Sequence, residues 1–102
     1  MKIVLAGAAL TSLLAAAPAF ADEALAKKHN CTACHALDKK VVGPAFREVA
    51  AKYAGDAGAG LRLAAKIKAG GQGNWGNVPM PPNPGLSDQE LQTLTRWILG
   101  HQ

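Results

Sequence analysis

The strongest constraint on the fold is the five-residue stretch Cys31-Thr32-Ala33-Cys34-His35. Its two cysteines are the only ones in the 102-residue sequence, and a histidine follows the second directly. This spacing is typical of c-type haem attachment, in which each thiol forms a thioether with one haem vinyl group. Because the imidazole follows at once, it is held where the iron lies. The rest of the chain is expected to fold around that group.

Two other interpretations of this motif are open. Redox dithiol proteins also use Cys-x-x-Cys, but they need a βαβ context, and no convincing strand is evident in the sequence. The pair would also suit half of a zinc site, but four ligands need more Cys and His than His29 and His101 provide. We expect both of these histidines to lie at the surface, and we expect one haem c, attached covalently through Cys31 and Cys34.

Residues 1–21 have the pattern of a secretory signal peptide. Lys2 supplies a short basic start, an apolar run extends to Ala17, and Ala19-Phe20-Ala21 forms a cleavage pattern of small residues. The apolar run is too short and too rich in alanine for a convincing membrane span, although an uncleaved anchor is the alternative. Cleavage after Ala21 would leave residues 22–102 as one small periplasmic domain with no membrane span.

A domain of this size has a marginally stable core and usually needs additional stabilisation, which a buried haem would provide. The formal net charge is +4, and removal of Lys2 lowers it slightly, so nucleic acid is not an indicated partner. Lys27-Lys28 and Lys39-Lys40 flank the haem motif on both sides. They form either an ordinary solvated face or a positive collar that attracts an acidic partner to an exposed haem edge.

Hydrophobic periodicity predicts an all-α domain of four or five short helices without a sheet. In the first helix, acidic residues at the start and lysines at the end match the helix dipole. The second helix has apolar residues at positions i, i+3, i+4 and i+7, and its charged residues face water. Gly70-Gly71 ends the third helix. The first three predicted helices cover residues 22–30, 45–53 and about 60–69.

The last predicted helix has the clearest sequence signals for its two ends. Ser87 and Glu90 form a capping box at its start, and Gly100 provides the stop at its end. Apolar residues recur at helical spacing between these two signals, which predicts one buried stripe. The predicted stripe consists of Leu91, Leu94, Trp97 and Ile98.

Residues 72–86 contain three glycines and four prolines and are expected to be irregular. Met80 is the only methionine besides Met1, and the prolines around it are expected to exclude helix and sheet ladders, leaving a stiff strap. Such a strap would hold the thioether against the iron as a sixth ligand, whereas the alternative is a side chain that fills a core gap. A His35 and Met80 ligand pair favours electron transfer, because neither axial position is open for catalysis.

Four further positions are candidates for the surroundings of the haem. A carbonyl of Gly43-Pro44 is the nearest rigid acceptor for the second ring nitrogen of the ligating histidine. The indole N–H of Trp75 and the ammonium of Lys66 are candidate partners of the haem propionates. Their alternatives are packing under a loop and solvated surface, respectively. The Asn83 amide is a candidate hydrogen-bond donor near the ligand sulfur.

Four segments occur in order along the chain: Cys-Thr-Ala-Cys-His-Ala, Lys-Val-Val-Gly-Pro-Ala, Ile-Lys-x-Gly-x-Gln-Gly-x-Trp-Gly and Val-Pro-Met-Pro-Pro-Asn. With them, the chain resembles the small bacterial class I cytochromes c of the c-551/c-552 type over essentially all of residues 22–102. The resemblance implies axial ligation by His35 and Met80, with the Pro44 carbonyl as the partner of His35. It assigns Trp75 and Lys66 to the propionates and Asn83 to the vicinity of Met80.

The same resemblance implies a function. A soluble periplasmic protein of this type carries single electrons in a respiratory or photosynthetic chain and is not an enzyme. The expected partners are a cytochrome-containing donor complex and an acceptor such as a terminal oxidase or a nitrite reductase, and the carrier itself is expected to be a monomer. Two competing hypotheses are an enzyme or gas sensor with a labile sixth site, and a redox dithiol protein without haem.

Overall fold

The computed structural model describes residues 7–8 and 19–101, so most of the predicted signal peptide lies outside the described residues. A short 3-10 turn at Cys31–Ala33 follows the first helix. Within the described residues, every helix is too short or too polar to cross a membrane. The α-helices are α1 (Ala19–Lys28), α2 (Phe46–Lys52), α3 (Ala59–Ala69) and α4 (Asp88–Leu99).

The expectation of an all-α fold without a sheet is wrong. Strands β1 (Gly71–Gly73) and β2 (Gly76–Met80) form a two-stranded antiparallel sheet. Gly71 pairs with Met80 and Gly73 with Gly76, and the register shifts between these pairs. The prolines do not prevent this pairing, because both strands of a hairpin are edge strands. A proline such as Pro79 costs no ladder bond there when its nitrogen faces solvent.

The start of α4 confirms the predicted capping box. The backbone N–H of Glu90 donates to the Ser87 hydroxyl oxygen at 3.1 Å, and the backbone N–H of Ser87 donates to the Glu90 carboxylate at 3.2 Å. Two of the N–H groups that lack a helical partner are thereby satisfied. The predicted stripe also points inward: Leu91, Leu94 and Ile98 are buried and Trp97 is half-buried.

The start of α2 is fixed by the loop that follows the haem motif. The backbone N–H of Phe46 donates to the carbonyl of Ala36 at 2.9 Å, and that of Arg47 donates to Leu37 at 3.1 Å. These carbonyls satisfy N–H groups of the first helical turn, which have no partner inside the helix. As a result, α2 begins directly beside His35.

The fourth helix is the centre of the packing, since α1, α2 and α3 each contact α4. The apolar stripes of the four helices meet there in one core. Half-buried side chains that include Cys31, Leu63 and Met80 pack against that core, so the core continues into the wall of the site described next. The buried members are Ala26, Phe46, Val49, Ile67, Leu86, Leu91, Leu94 and Ile98.

Candidate functional site

A largely apolar cleft brings together residues that the sequence analysis selected from distant parts of the chain. The segment after α1 contributes Cys31, Cys34 and His35 to its lining, and the end of β2 contributes Met80. Three other selected residues, Pro44, Lys66 and Trp75, line the same cleft, whereas Asn83 does not. Its apolar walls include Phe46, Val49, Leu63, Ile67, Leu94 and Ile98.

A sharp turn after α1 holds the two thiols. Asn30 adopts φ 60° and ψ 20°, a left-handed conformation that asparagine tolerates better than most residues, and the 3-10 turn starts there. The backbone N–H groups of Cys34 and His35 both donate to the carbonyl of Cys31, at 3.2 and 2.9 Å. Both cysteines are half-buried and free of disulfide bonds, so both sulfurs are available for thioether formation.

The fold around Cys31 disfavours the alternative of a redox dithiol, because the strands of the described residues form one antiparallel hairpin and not a βαβ unit. Burial raises the pKa of this thiol more than a backbone hydrogen bond lowers it, and the neighbouring Cys34 adds to the increase. Reactive redox cysteines have lowered pKa values instead, because the thiolate is the nucleophile. The zinc alternative lacks support too, since no three His, Cys, Asp or Glu side chains of the described part converge on a metal position.

The imidazole of His35 is oriented by two contacts. Its Nδ1 lies 2.7 Å from the carbonyl oxygen of Pro44. Because a carbonyl can only accept, Nδ1 is the donor, and the neutral ring then keeps the lone pair on Nε2. The ring also stacks on Phe46, with centroids 5.3 Å apart and an interplanar angle of 23°. His35 therefore presents Nε2 as its metal-binding atom.

The residue before Pro44 has to be small. A Cβ atom added to Gly43 would lie 2.8 Å from Nδ1 of His35 and closer still to its Cε1, and Cβ atoms in proteins essentially never come within 3.0 Å of another residue in this way. The backbone N–H of Gly43 donates to the carbonyl of Cys34 at 2.8 Å, and this bond closes the loop back onto the motif. The Gly-Pro pair is thus the element that brings an acceptor to the imidazole.

Met80 reaches the cleft because the hairpin returns it to the end of α3. It is half-buried at the end of β2, opposite Gly71. The preceding Gly70 has φ 69° and ψ −161°, a combination that is essentially restricted to glycine. A Cβ at Gly70 would lie 2.5 Å from the carbonyl oxygen of Met80 and 2.7 Å from the nitrogen of Pro82. The close packing of the strap on α3 therefore requires this glycine.

Asn83 has a role that sequence reasoning missed. Its amide nitrogen lies 3.2 Å from the carbonyl of Ile67 and 3.3 Å from that of Pro81, and its backbone N–H donates to Lys68 at 3.0 Å. It therefore satisfies carbonyls in the last turn of α3, which lack helical partners. In the described part of the chain, no hydrogen bond joins this amide to the sulfur of Met80.

Trp75 and Lys66 both line the cleft, but they differ in exposure and in the part of the hairpin that they contact. Trp75 is 38 % exposed at its rim, in the turn of the hairpin. Lys66 is half-buried, and its ammonium nitrogen lies 2.9 Å from the position of a Cβ on Gly71, so it crosses the start of β1. Sequence reasoning also missed Lys52, whose ammonium lies 4.3 Å from the centroid of the Trp75 ring. Only its place on the polar face of α2 marks this lysine in the sequence.

The two remaining histidines lie outside the cleft. Nε2 of His29 is 3.0 Å from the carboxylate of Glu90, and this contact joins the end of α1 to the start of α4. The ring of His101 packs edge-on against Trp97 with centroids 4.8 Å apart. Both are half-buried rather than fully at the surface as expected, because each packs on α4.

These features define a small helical domain with an apolar cleft that is lined by two free thiols and an imidazole in the metal-binding tautomer. The Cytochrome c family model matches residues 22–102, and the chain belongs to this family. It is similar to the cytochrome c-551 of Azotobacter vinelandii, with 61 % identity over 80 residues that cover 78 % of this chain and 96 % of the relative.

Solved structures agree with the sequence comparison. The crystal structure of wild-type Nitrosomonas europaea cytochrome c552 is 51 % identical, covers 78 % of this chain and 99 % of its own, and has a TM-score of 0.75. A class 1 cytochrome from Sideroxydans lithotrophicus is 30 % identical, covers 84 % of this chain and 98 % of its own, and has a TM-score of 0.70. The predicted resemblance to class I cytochromes of the c-551/c-552 type is thereby confirmed.

The protein is accordingly a small monohaem electron carrier of the c type, with covalently bound haem c and its iron. The cleft fits this group. Its walls are apolar, its two thiols are unpaired, and Nε2 of His35 keeps its lone pair. Cys31 and Cys34 are the attachment points, because the sequence has no other cysteine.

Proposed function

We propose that this protein carries single electrons between redox proteins in the periplasm and is not an enzyme. Nε2 of His35 and the sulfur of Met80 would hold the haem iron, as the resemblance to the c-551/c-552 cytochromes implies. The haem supplies a one-electron Fe(II)/Fe(III) couple. The observation that carries the proposal is the 2.7 Å hydrogen bond from Nδ1 of His35 to Pro44, which leaves the other ring nitrogen as a ligand.

The surrounding residues favour electron transfer over catalysis. A thioether is a soft ligand that stabilises ferrous iron and raises the reduction potential. Met80 and His35 are each fixed by backbone contacts, so the two ligands need little rearrangement between oxidation states. With Nε2 of His35 and the sulfur of Met80 both holding the iron, no coordination site would be left for a substrate.

Three further residues complete the proposed haem surroundings. Lys66 and the indole N–H of Trp75 contact the haem propionates from the rim of the cleft. The support for this role is their position, since both side chains line the cleft beside the start of the hairpin. Asn83 acts near Met80 by fixing the strap to the last turn of α3, to which its amide and its backbone both donate.

The rim of the cleft is the proposed docking surface for redox partners. Val42 and Val78 line the cleft and are 48 % and 62 % exposed. Lys39 and Lys40 are exposed beside this apolar patch. An apolar contact with nearby positive charge suits a transient, acidic partner, because charge steers the encounter without making the complex long-lived. A cytochrome-containing donor complex, and a terminal oxidase or nitrite reductase as acceptor, are the proposed partners of a monomeric carrier.

Export to the periplasm follows from the proposed signal peptide, which is cleaved after Ala21. The family match begins at Asp22, the residue after the proposed cut, and this coincidence supports the boundary. In the described chain, α1 begins at Ala19, three residues before the predicted start. Cleavage would therefore shorten the first turn of α1 and leave Asp22 at the new N-terminus, where a negative charge favours the helix dipole.

Absorption spectra of the protein matured in a bacterial periplasm test this function. We expect a low-spin c-type spectrum, a weak sulfur-to-iron band in the far red of the ferric form, and no binding of carbon monoxide by the ferrous form. Met80→Ala should abolish the far-red band and admit carbon monoxide, whereas Asn77→Ala, at an exposed position of the same strand that does not line the cleft, should change neither. Rapid carbon monoxide binding by the unmodified protein would favour the gas sensor. A colourless protein with one reversible disulfide would favour the dithiol protein.

A further inference from the structure

Lys52, the last residue of α2, contacts the turn of the hairpin from outside the cleft. Its ammonium donates to the backbone carbonyl of Asn74 at 3.0 Å. The same nitrogen stands 4.3 Å from the centroid of the Trp75 ring, within the range of a cation–π contact, and 5.7 Å from that of Tyr53. One side chain therefore holds both the backbone and the ring of the turn.

The turn has few restraints of its own. An isolated two-stranded hairpin is marginally stable in water, and this one has a register shift between its two pairs. Gly73 and Gly76 flank the turn with φ values of 111° and 110°, and neither has a side chain to pack. Residues 71–79 are exposed throughout. Contacts from α2 must therefore supply much of what fixes the position of Trp75.

We propose that Lys52 is a positioning residue that holds Trp75 over the rim of the haem cleft. This inference rests on the proposed role of Trp75 at the haem. By fixing the turn through two contacts, Lys52 keeps the indole where it covers the edge of the cleft and limits the entry of water. The ammonium also places a positive charge beside the cleft, which disfavours ferric iron and raises the reduction potential.

Proton exchange at the indole N–H of Trp75, measured by NMR on the holoprotein, tests the proposal. Lys52→Met keeps the aliphatic stem but removes the donor and the charge, and it should accelerate this exchange about tenfold, given the usual strengths of one cation–π contact and one hydrogen bond. The other tryptophan, Trp97, lies against Phe46 and His101 and is an internal reference whose exchange should not change. Lys52→Arg keeps both contacts and should restore slow exchange.

The matched control is Lys28→Met, which removes an exposed lysine from the last residue of another helix, α1. It should leave the exchange of Trp75 unchanged, and Lys52→Met should lower the reduction potential more than this control does. Unchanged exchange in Lys52→Met, equal acceleration in Lys28→Met, or no rescue by Lys52→Arg would overturn the proposal. The far-red band should persist in all three variants. Its absence from the unmodified protein would refute the proposed carrier function, independently of the role of Lys52.

Discussion

Replacement of Gly70 by alanine tests whether the contact between α3 and the Met80 strap fixes the sixth ligand. The backbone conformation at Gly70 is one that only glycine adopts readily, so alanine costs about 2 kcal/mol in strain. Its Cβ would also lie 2.5 to 2.9 Å from backbone atoms of Met80, Pro82 and Pro81, none of which can rotate away. Relief of that overlap costs about a further 2 kcal/mol. We expect a loss of about 4 kcal/mol in the free energy of unfolding.

Gly55→Ala is the matched control. Gly55 also has a positive φ, of 76°, but apart from its two chain neighbours no residue has an atom within 4 Å of the position of its Cβ. Alanine there carries backbone strain alone, about 1 to 2 kcal/mol. Denaturant unfolding followed by circular dichroism measures both losses, and the far-red band of the ferric protein reports the position of Met80. We expect Gly70→Ala to weaken that band and Gly55→Ala to leave it intact. Equal losses in both variants, with an unchanged band, would refute the reasoning.

Two further predictions concern α4. Leu94 is 1 % exposed at the centre of the core, so Leu94→Ala should lower the free energy of unfolding by about 3 kcal/mol in a denaturant titration, and a loss below about 1 kcal/mol would contradict the packing. Two hydrogen bonds hold the pKa of Glu90 below its usual value: the one from the Ser87 backbone N–H has the larger effect, and the one from His29 the smaller. Its stabilising contribution is therefore present above the ordinary glutamate pKa and is lost as the pH falls through the lowered one. Glu90→Gln should remove this part of the acid dependence of stability, and an unchanged acid profile in that variant would disprove it.

The parts of the site that depend on local rules were predictable from the sequence. The spacing of Cys31, Cys34 and His35 is itself the attachment motif, and the Ser87 and Glu90 capping box satisfies groups within one helical turn. Helical periodicity likewise placed the buried stripe of α4. In each case, the residues that determine the structure are near neighbours in the chain.

The hairpin was not predictable in the same way. Its paired positions include three glycines, which have no side chains to alternate between two faces, and the register shift breaks any period of two. The prolines around Met80 argued against a sheet, but the sheet has only two strands, and both are edges. The roles of Asn83 and Lys52 depend on which helix the hairpin meets, and no local pattern carries that information.

The central place of α4 has a consequence for the order of events when the protein is made. Among the described residues, α1, α2 and α3 all pack on α4, which follows them in the chain, so the core cannot close until α4 has been synthesised and has packed. The cysteine pair emerges much earlier. We therefore expect both thiols to stay accessible for haem attachment until α4 packs and adds Leu94 and Ile98 to the wall of the cleft.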